Sequence, residues 1–311
     1  MKIAFCHHLS VPNLAAGGEK WVVNTAKALM ERGHDVVVNA LPFTLNGTHK
    51  NNFGMLEGID YHEGFHHKVE ADVAYVTYHP FSFLNFNLKC PKIAGFHSET
   101  YWQQPNLRYG VLPLAANIAN KFVSYMGLRG FNAVHRLSNL YPVNHPKVYT
   151  VPNYVDSSVY KPIKKSDEFT VAFASRKVWQ KGYDIFQEVA GHLDCRVKVS
   201  GNLDEADMPS FLSDAHVVLA PSRVDTFGLA LVESMMVGTP VVTSPLASHF
   251  ALGLPFRYAR TSLEYLREVS KLREEEAYGF LSDVCRHVAL RYEKDAVMDR
   301  IEDMFLEVAG N

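Results

Sequence analysis

Two carboxylates stand eight positions apart in "PSRVDTFGLALVESMMVGTPVV", which runs from Pro221 to Val242. Asp225 precedes Phe227-Gly228-Leu229, and Glu233 follows within an otherwise apolar run. A carboxylate among apolar neighbours is costly unless something pairs with it, so Glu233 calls for a partner. The two hydroxyls of a ribose would serve, as would an arginine from elsewhere in the chain. "HVVLAPS" just upstream reads as a strand, and the spacing predicts that a helix starts near Gly228. The amides of Phe227, Gly228 and Leu229 then lie ahead of any intrahelical carbonyl, as free donors suited to a sugar hydroxyl or a phosphate oxygen. Asp225 is placed either to cap that helix or to accept from a hydroxyl.

A second pair is cationic. In "FTVAFASRKVWQKGYDIFQEVA" Arg176 sits just past a strand, and Lys181 sits near a helix amino terminus. The helix dipole disfavours a cation there by roughly 0.3–1 kcal/mol. A bound anion would reverse that sign, with Arg176 gripping phosphate oxygens as a fork and Lys181 adding a point charge. Two ordinary surface cations would give the same sequence.

Weaker signals lie in the first half. Gly17 and Gly18 follow the first strand in "SVPNLAAGGEKW", where bare backbone could approach a phosphate or simply turn. They do not fit G-x-G-x-x-G. His97 ends the strand "KIAGFH", and His7 and His8 end the first strand. Each could touch a sugar hydroxyl, but the chain has 15 histidines, so position alone does not select one. No D-x-D, G-x-S-x-G, Walker loop or H-E-x-x-H occurs, which removes the commonest metal, serine-hydrolase and NTPase routes.

Strands alternating with helices must position these residues. The strand runs are "KIAFCH", "DVVVNAL", "DVAYVTY", "KIAGFH", "NAVHRLS" and "KVYTVPN", then "FTVAFAS", "RVKVSG", "HVVLAPS" and "PVVTS". Between the first two, "EKWVVNTAKALMERGH" puts Trp21, Thr25, Ala28 and Leu29 on one helical face, with Gly33 as a left-handed stop. This alternation predicts parallel sheets covered on both faces. The 311 residues suggest two domains, and the pattern restarts after the polar stretch that follows Asn153. We expect an α/β fold with domains at 1–153 and 154–311. Two such sheets leave a cleft at their carboxyl ends, where ligands of open α/β sheets bind. The final helix, near Glu293 to Val308, is expected to pack back across the interface.

Composition narrows the class. Charged residues make up 21% and the net charge is −2, against a protein held to nucleic acid by bulk charge. Cys6, Cys90, Cys195 and Cys285 are scattered, with Cys6 and Cys195 in strand-like runs, as expected of buried, reduced thiols in a cytoplasmic protein. No signal peptide opens the chain, and no apolar run is long enough to span a bilayer. The apolar stretch 109–131 suits a core helix better than a membrane-surface helix, because it lacks a basic face.

Taken together, these stretches resemble glycosyltransferase family 4, retaining enzymes of the GT-B fold, in which two Rossmann-like doubly wound domains face a central cleft. The resemblance rests on the acidic pair in its "PS…FGL…E…G-P-V-V" setting, on Arg176 and Lys181-Gly182, and on "VPNYVD" at 151–156. It is supported by Gly17-Gly18 and by Gly33-His34-Asp35-Val36. It is dense from about 147 to 245 and sparse before that. It implies that Glu233 binds the ribose of a nucleotide-diphosphate sugar, UDP-linked in most relatives. Arg176 and Lys181 would hold the pyrophosphate as it leaves. Asp225 and the amides at Phe227 and Gly228 would hold the transferred sugar, Gly17 and Gly18 would approach the distal phosphate, and His97 would contact the sugar. No cofactor and no metal is implied; the cations do that work. The acceptor stays open among glycan, lipid, protein, small molecule and modified nucleic acid, as do peripheral membrane contact and the oligomeric state. A GT-B phosphorylase, a sugar-nucleotide epimerase and a non-catalytic scaffold on a transferase frame are the competing readings. The chain departs from the family in having Asp225 in place of Glu and Tyr154 in place of Gly. It also lacks a glycine-rich return in "PLASHFALGLPFRYAR".

Overall fold

The computed structural model describes residues 1–12, 17–43, 54–78, 86–97, 127–140, 143–201, 203–273 and 275–310. The chain divides into two compact units, one of Met1–Pro152 with Met298–Asn311, the other of Asn153–Val297.

The first unit contains strands β1 (Lys2–His7), β2 (Asp35–Ala40), β3 (Gly54–Leu56), β4 (Ile59–Glu63) and β5 (His67–Val69). It continues with β6 (Val73–Thr77), β7 (Phe86–Leu88), β8 (Lys92–Phe96), β9 (Ala133–Arg136) and β10 (Val148–Thr150). Eight of them form one sheet in the order β10-β9-β8-β6-β1-β2-β4-β3, while β5 and β7 pair separately. The large sheet is parallel except at its edge, where β3 runs antiparallel to β4. Helix α1 (Gly17–Glu31) follows β1 and buries Trp21, Thr25, Ala28 and Leu29, the face expected of it. Gly33 ends it in the left-handed region at φ 87°. Its amide and that of His34 reach back to the carbonyls of Met30 and Leu29 at 2.9 and 3.1 Å, closing the helix end.

The central strands β1, β2 and β6 are almost wholly buried, as strands covered on both faces must be. Phe5 pairs in register with Tyr75, and Gly95 pairs with both Thr77 and His135. Partners in register point to the same face, so Phe5, Tyr75, Thr77, Gly95 and His135 share one side of the sheet.

The second unit carries β11 (Thr170–Phe173), β12 (Arg196–Val199), β13 (Val217–Ala220), β14 (Val241–Thr243) and β15 (Arg257–Tyr258). They form a parallel sheet in the order β12-β11-β13-β14-β15. Its helices are α2 (Tyr183–Ala190), α3 (Met208–Asp214), α4 (Leu229–Met236), α5 (Ala247–Ala251), α6 (Ser262–Leu272) and α7 (Glu275–Ala289). Phe173, Phe186, Leu219, Val242 and Tyr265 fill its core.

The last helix, α8 (Lys294–Ala309), places Ile301, Met304, Phe305 and Val308 in buried positions. Phe305 meets Phe5 and Tyr75 at ring-centroid distances of 5.9 Å, and Phe5 meets Trp21 at 6.1 Å. Helices α1 and α8 thus both pack on the Phe5–Tyr75 face.

All ten strand runs read from the sequence are strands. Five further strands, β3, β4, β5, β7 and β15, were not expected. All four cysteines are free; Cys6 is buried in β1, whereas Cys195 lies just before β12 and is only half-buried. Among the described residues no helix is long and apolar enough to cross a membrane. The apolar stretch 109–131 lies outside the described residues up to 126.

Candidate functional site

In the second unit, the chemistry gathers where two strand-to-helix loops lock together. After β11 the chain makes a short 3-10 turn, Trp179–Lys181, and enters α2 through Gly182. Gly182 has φ 69°, and a Cβ added there would lie 1.9 Å from the carbonyl oxygen of Pro221. Only glycine tolerates both that backbone and that approach. The loop after β13 answers with two amides, Arg223 and Val224, both donating to the carbonyl of Gln180 at 2.8 and 3.2 Å. The Arg223 guanidinium clamps Asp184 through two bonds of 2.6 and 2.7 Å and lies 4.6 Å over the Trp179 ring. This fork-to-carboxylate geometry fixes one loop against the other.

The clamp brings Lys181 to Asp225, with Nζ 2.9 Å from Oδ2. The two side chains are only 20% and 10% exposed, so water screens the pair far less than it would a surface ion pair. On the other side of Asp225, Oδ1 accepts the amide of Gly228 at 3.2 Å. Gly228, at φ 83°, is the N-cap of α4. The Gly228 amide is therefore not the free donor expected from the sequence; the carboxylate of Asp225 takes it. Phe227 and Leu229 flank it. Phe227 is buried with its ring 5.8 Å from that of Tyr292, and Leu229 begins α4, where an amide has no intrahelical carbonyl to meet.

Sequence reading missed His249. It sits on α5, fully buried, with Nε2 3.6 Å from Asp225 Oδ2. Its Nδ1 faces the carbonyl of Ser244 at 3.1 Å and the hydroxyl of Thr243 at 2.9 Å. A carbonyl only accepts, so Nδ1 is a donor; Nε2 is the atom turned to the carboxylate, and it favours the ionised form when it too carries a proton. Burial alone would raise the Asp225 carboxyl, but the approach of His249 and the charge of Lys181 outweigh it. Together they hold the group well below the usual carboxylate range. Nothing in "PLASHFALGLPFRYAR" pointed to this histidine except its departure from the expected glycine-rich return.

Glu233 lies on α4, one turn past Gly228, half-buried between the buried Val232 and Ser234. Arg176 is exposed in the loop before the 3-10 turn, and among the described residues it has no ion pair. Lys181, Asp225, Gly228 and His249 thus form one cluster, with Glu233 further along the same helix and Arg176 outside it.

The first unit holds its own group. Gly17 and Gly18 form the opening turn of α1 rather than preceding it, and an added Cβ at either meets nothing within 4 Å. Their amides are among those a helix start leaves without carbonyl partners. His7, at the end of β1, bonds Thr77 Oγ1 at 2.6 Å and Glu19 Oε1 at 3.1 Å. His97, immediately after β8, shares the hydroxyl of Tyr75 with His135, at 2.7 and 2.5 Å. Its ring lies 4.2 Å from the Trp21 ring, centre to centre. Burial pushes the His97 imidazole well below its ordinary value, and His135, His7 and His8 push the same way.

Part of the chain resembles known proteins in sequence, and the whole chain resembles solved structures in fold. Residues 157–252 match the family model of glycosyl transferases group 1. Over 66 residues the chain is 32% identical to an uncharacterized 41.2 kDa protein in the cps region of Klebsiella pneumoniae, a stretch covering 21% of this chain and 18% of that protein. Sucrose-phosphate synthase from Thermosynechococcus elongatus superposes with a TM-score of 0.78 at 14% identity, covering 99% of this chain and 98% of the other. HepE from Anabaena, solved in complex with UDP-glucose, superposes with a TM-score of 0.75 at 15% identity, covering 99% and 100%. The segment similar to group 1 glycosyl transferases bears Arg176, Lys181, Asp225 and Glu233, and it lies within a chain of GT-B fold.

Proposed function

We propose that the protein is a retaining glycosyltransferase of family 4. It takes a nucleotide-diphosphate sugar, UDP-linked, and moves the sugar to an acceptor hydroxyl without a metal, in the cytoplasm. The observation that carries this reading is the Lys181–Asp225 pair at the head of α4, inside the matched segment and one turn before Glu233. HepE, of the same fold, was solved with UDP-glucose, which supports the choice of donor.

In this reading Lys181 and Arg176 neutralise the charge that grows on the diphosphate as the bond from sugar C1 to phosphate oxygen breaks. The oxocarbenium-like centre is then met from the same face by the acceptor oxygen. A new C1–O bond forms, and the acceptor proton passes to a diphosphate oxygen, so no protein nucleophile is required. Glu233 accepts from the ribose hydroxyls and Asp225 from a sugar hydroxyl. Gly17, Gly18 and His97 keep the phosphate and sugar roles that the resemblance gives them.

The test is turnover of a panel of nucleotide sugars by the purified protein, with and without a chelator. The anomeric configuration of the product is read by proton NMR. Retained configuration and indifference to the chelator support the proposal. Turnover only with inorganic phosphate would make it a phosphorylase, and neither turnover nor thermal stabilisation by any donor would reject it.

A further inference from the structure

Four hydrogen-bonding groups of the first unit form a chain whose direction is fixed at one end. His135 Nε2 stands 2.8 Å from the carbonyl oxygen of Val151. A carbonyl only accepts, so Nε2 carries the His135 proton. The neutral ring then offers a lone pair at Nδ1, and the Tyr75 hydroxyl donates to it at 2.5 Å. Having spent its proton, the Tyr75 oxygen accepts from His97 Nε2 at 2.7 Å. The proton of His97 therefore sits on Nε2, and Nδ1 is left as an acceptor. Among the described residues that Nδ1 is buried and has no hydrogen-bond partner.

The fold is built to allow this chain. Tyr75 and His135 share a sheet face on β6 and β9, with β8 between them. Tyr75 can cross β8 only because residue 95 has no side chain: a Cβ on Gly95 would lie 2.0 Å from the Tyr75 hydroxyl. The neighbouring Trp21 adds the complementary group, since its indole Nε1, which can only donate, is also buried without a partner among the described residues. Two buried groups of opposite sense, on rings 4.2 Å apart and unmatched among the described residues, are expensive unless something answers both. A hydroxyl does so, because it donates and accepts through one oxygen.

We infer that Tyr75 and His135 are positioning residues. They lock His97 as the Nε2-protonated tautomer, so that its Nδ1 accepts, with Trp21 Nε1 donating, at a carbohydrate hydroxyl. The hydroxyl's being a sugar's rests on the function proposed above; the tautomer does not.

Nitrogen-15 NMR of the histidine side chains tests the two parts separately. In the unliganded wild-type protein at pH 7, His97 and His135 should both show the neutral, Nε2-protonated pattern. An Nδ1-protonated or doubly protonated His97 would overturn the inference without any variant having to fold. Tyr75→Phe keeps the ring and removes the hydroxyl, and it should release His97 into a mixture of tautomers. An unchanged His97 spectrum in that variant would equally overturn it. In binding assays Tyr75→Phe should weaken a nucleotide sugar roughly three- to tenfold while leaving the free nucleoside diphosphate within about twofold. Equal weakening of both would sink the sugar-facing role. If the wild type bound neither ligand, the glycosyltransferase reading would fall while the tautomer measurement still stood.

Discussion

Lys181 Nζ and Asp225 Oδ2 are 2.9 Å apart, which joins two residues that the sequence suggested for separate tasks. The cation proposed to meet a diphosphate is thus paired with the carboxylate proposed to meet a sugar. Changing one alters the charge available to the other.

Asp225→Asn should therefore separate binding from turnover. Removing the carboxylate frees the Lys181 charge, and nucleoside diphosphate affinity should hold or rise a few-fold. Sugar transfer should fall roughly 10²-fold, the scale for loss of one electrostatic or hydrogen-bonding group at a reacting centre. Calorimetry and steady-state kinetics on the same preparation read both numbers. A matching fall in diphosphate affinity would place Asp225 at the nucleotide instead.

Glu233→Ala should act in the opposite sense. With Glu233 in its proposed place at the ribose hydroxyls, its loss should weaken UDP by roughly tenfold or more. Unaltered UDP affinity in the calorimeter would remove the ribose assignment.

Gly182→Ala should damage the fold at one point. The new Cβ meets the Pro221 carbonyl oxygen at 1.9 Å on a backbone already at φ 69°. We expect a loss of about 2–4 kcal/mol, read as a lower denaturant midpoint at unchanged slope. Because Gly182 follows Lys181, activity should fall even under conditions where the variant remains folded. An Ala variant as stable as wild type would show that the loops can part at no cost.

The first unit should lose stability in acid. Burial pushes His135 down to about 4 from an ordinary value of 6.5, against the raising effect of its bond to Val151. A folded-state value below the unfolded one means that the unfolded chain binds more protons between them. The contribution of this group is thus complete above about pH 6.5 and is lost as pH falls through 4. The window corresponds to roughly 3 kcal/mol. Tyr75, His97 and Arg300 face His135, and His97 is shifted in the same direction. His135→Gln should show a shallower fall in denaturation midpoint between pH 6.5 and 4. A slope equal to that of wild type would mean that this imidazole does not set the acid limit.

Much of the architecture was legible because long apolar runs allow few structures. "KIAFCH" and "DVAYVTY" are nearly all apolar, and both are buried central strands. The strands that escaped are short or alternate. In β4, "IDYHE" buries Ile59, Tyr61 and Glu63 and exposes Asp60 and His62. Its inner carboxylate accepts from Ser10 and Tyr61 at 2.6 and 2.7 Å, a pairing no local pattern reveals. The candidate site divides in the same way. Lys181, Asp225 and Gly228 were legible because they lie at strand ends and helix starts. His249 was not, because its place depends on β14 and α5 folding it back toward a loop more than twenty residues earlier. Tyr75 and His135 were hidden for a similar reason. They look like core residues in their own strands, and only the absence of a side chain at Gly95 between them turns them into a hydrogen-bonded chain.

Helix α8 also sets the order in which the protein can be finished on the ribosome. Phe305 packs against Phe5 and Tyr75, Arg32 pairs with Glu302 and Asp299, and Arg300 donates to the Thr150 carbonyl. Residues 298–309 leave the exit tunnel only after everything from 153 to 297 has been made. The half of the nascent chain synthesised first must therefore wait, with an open hydrophobic face exposed to chaperones, while the half synthesised later can close its own core and fold ahead of it.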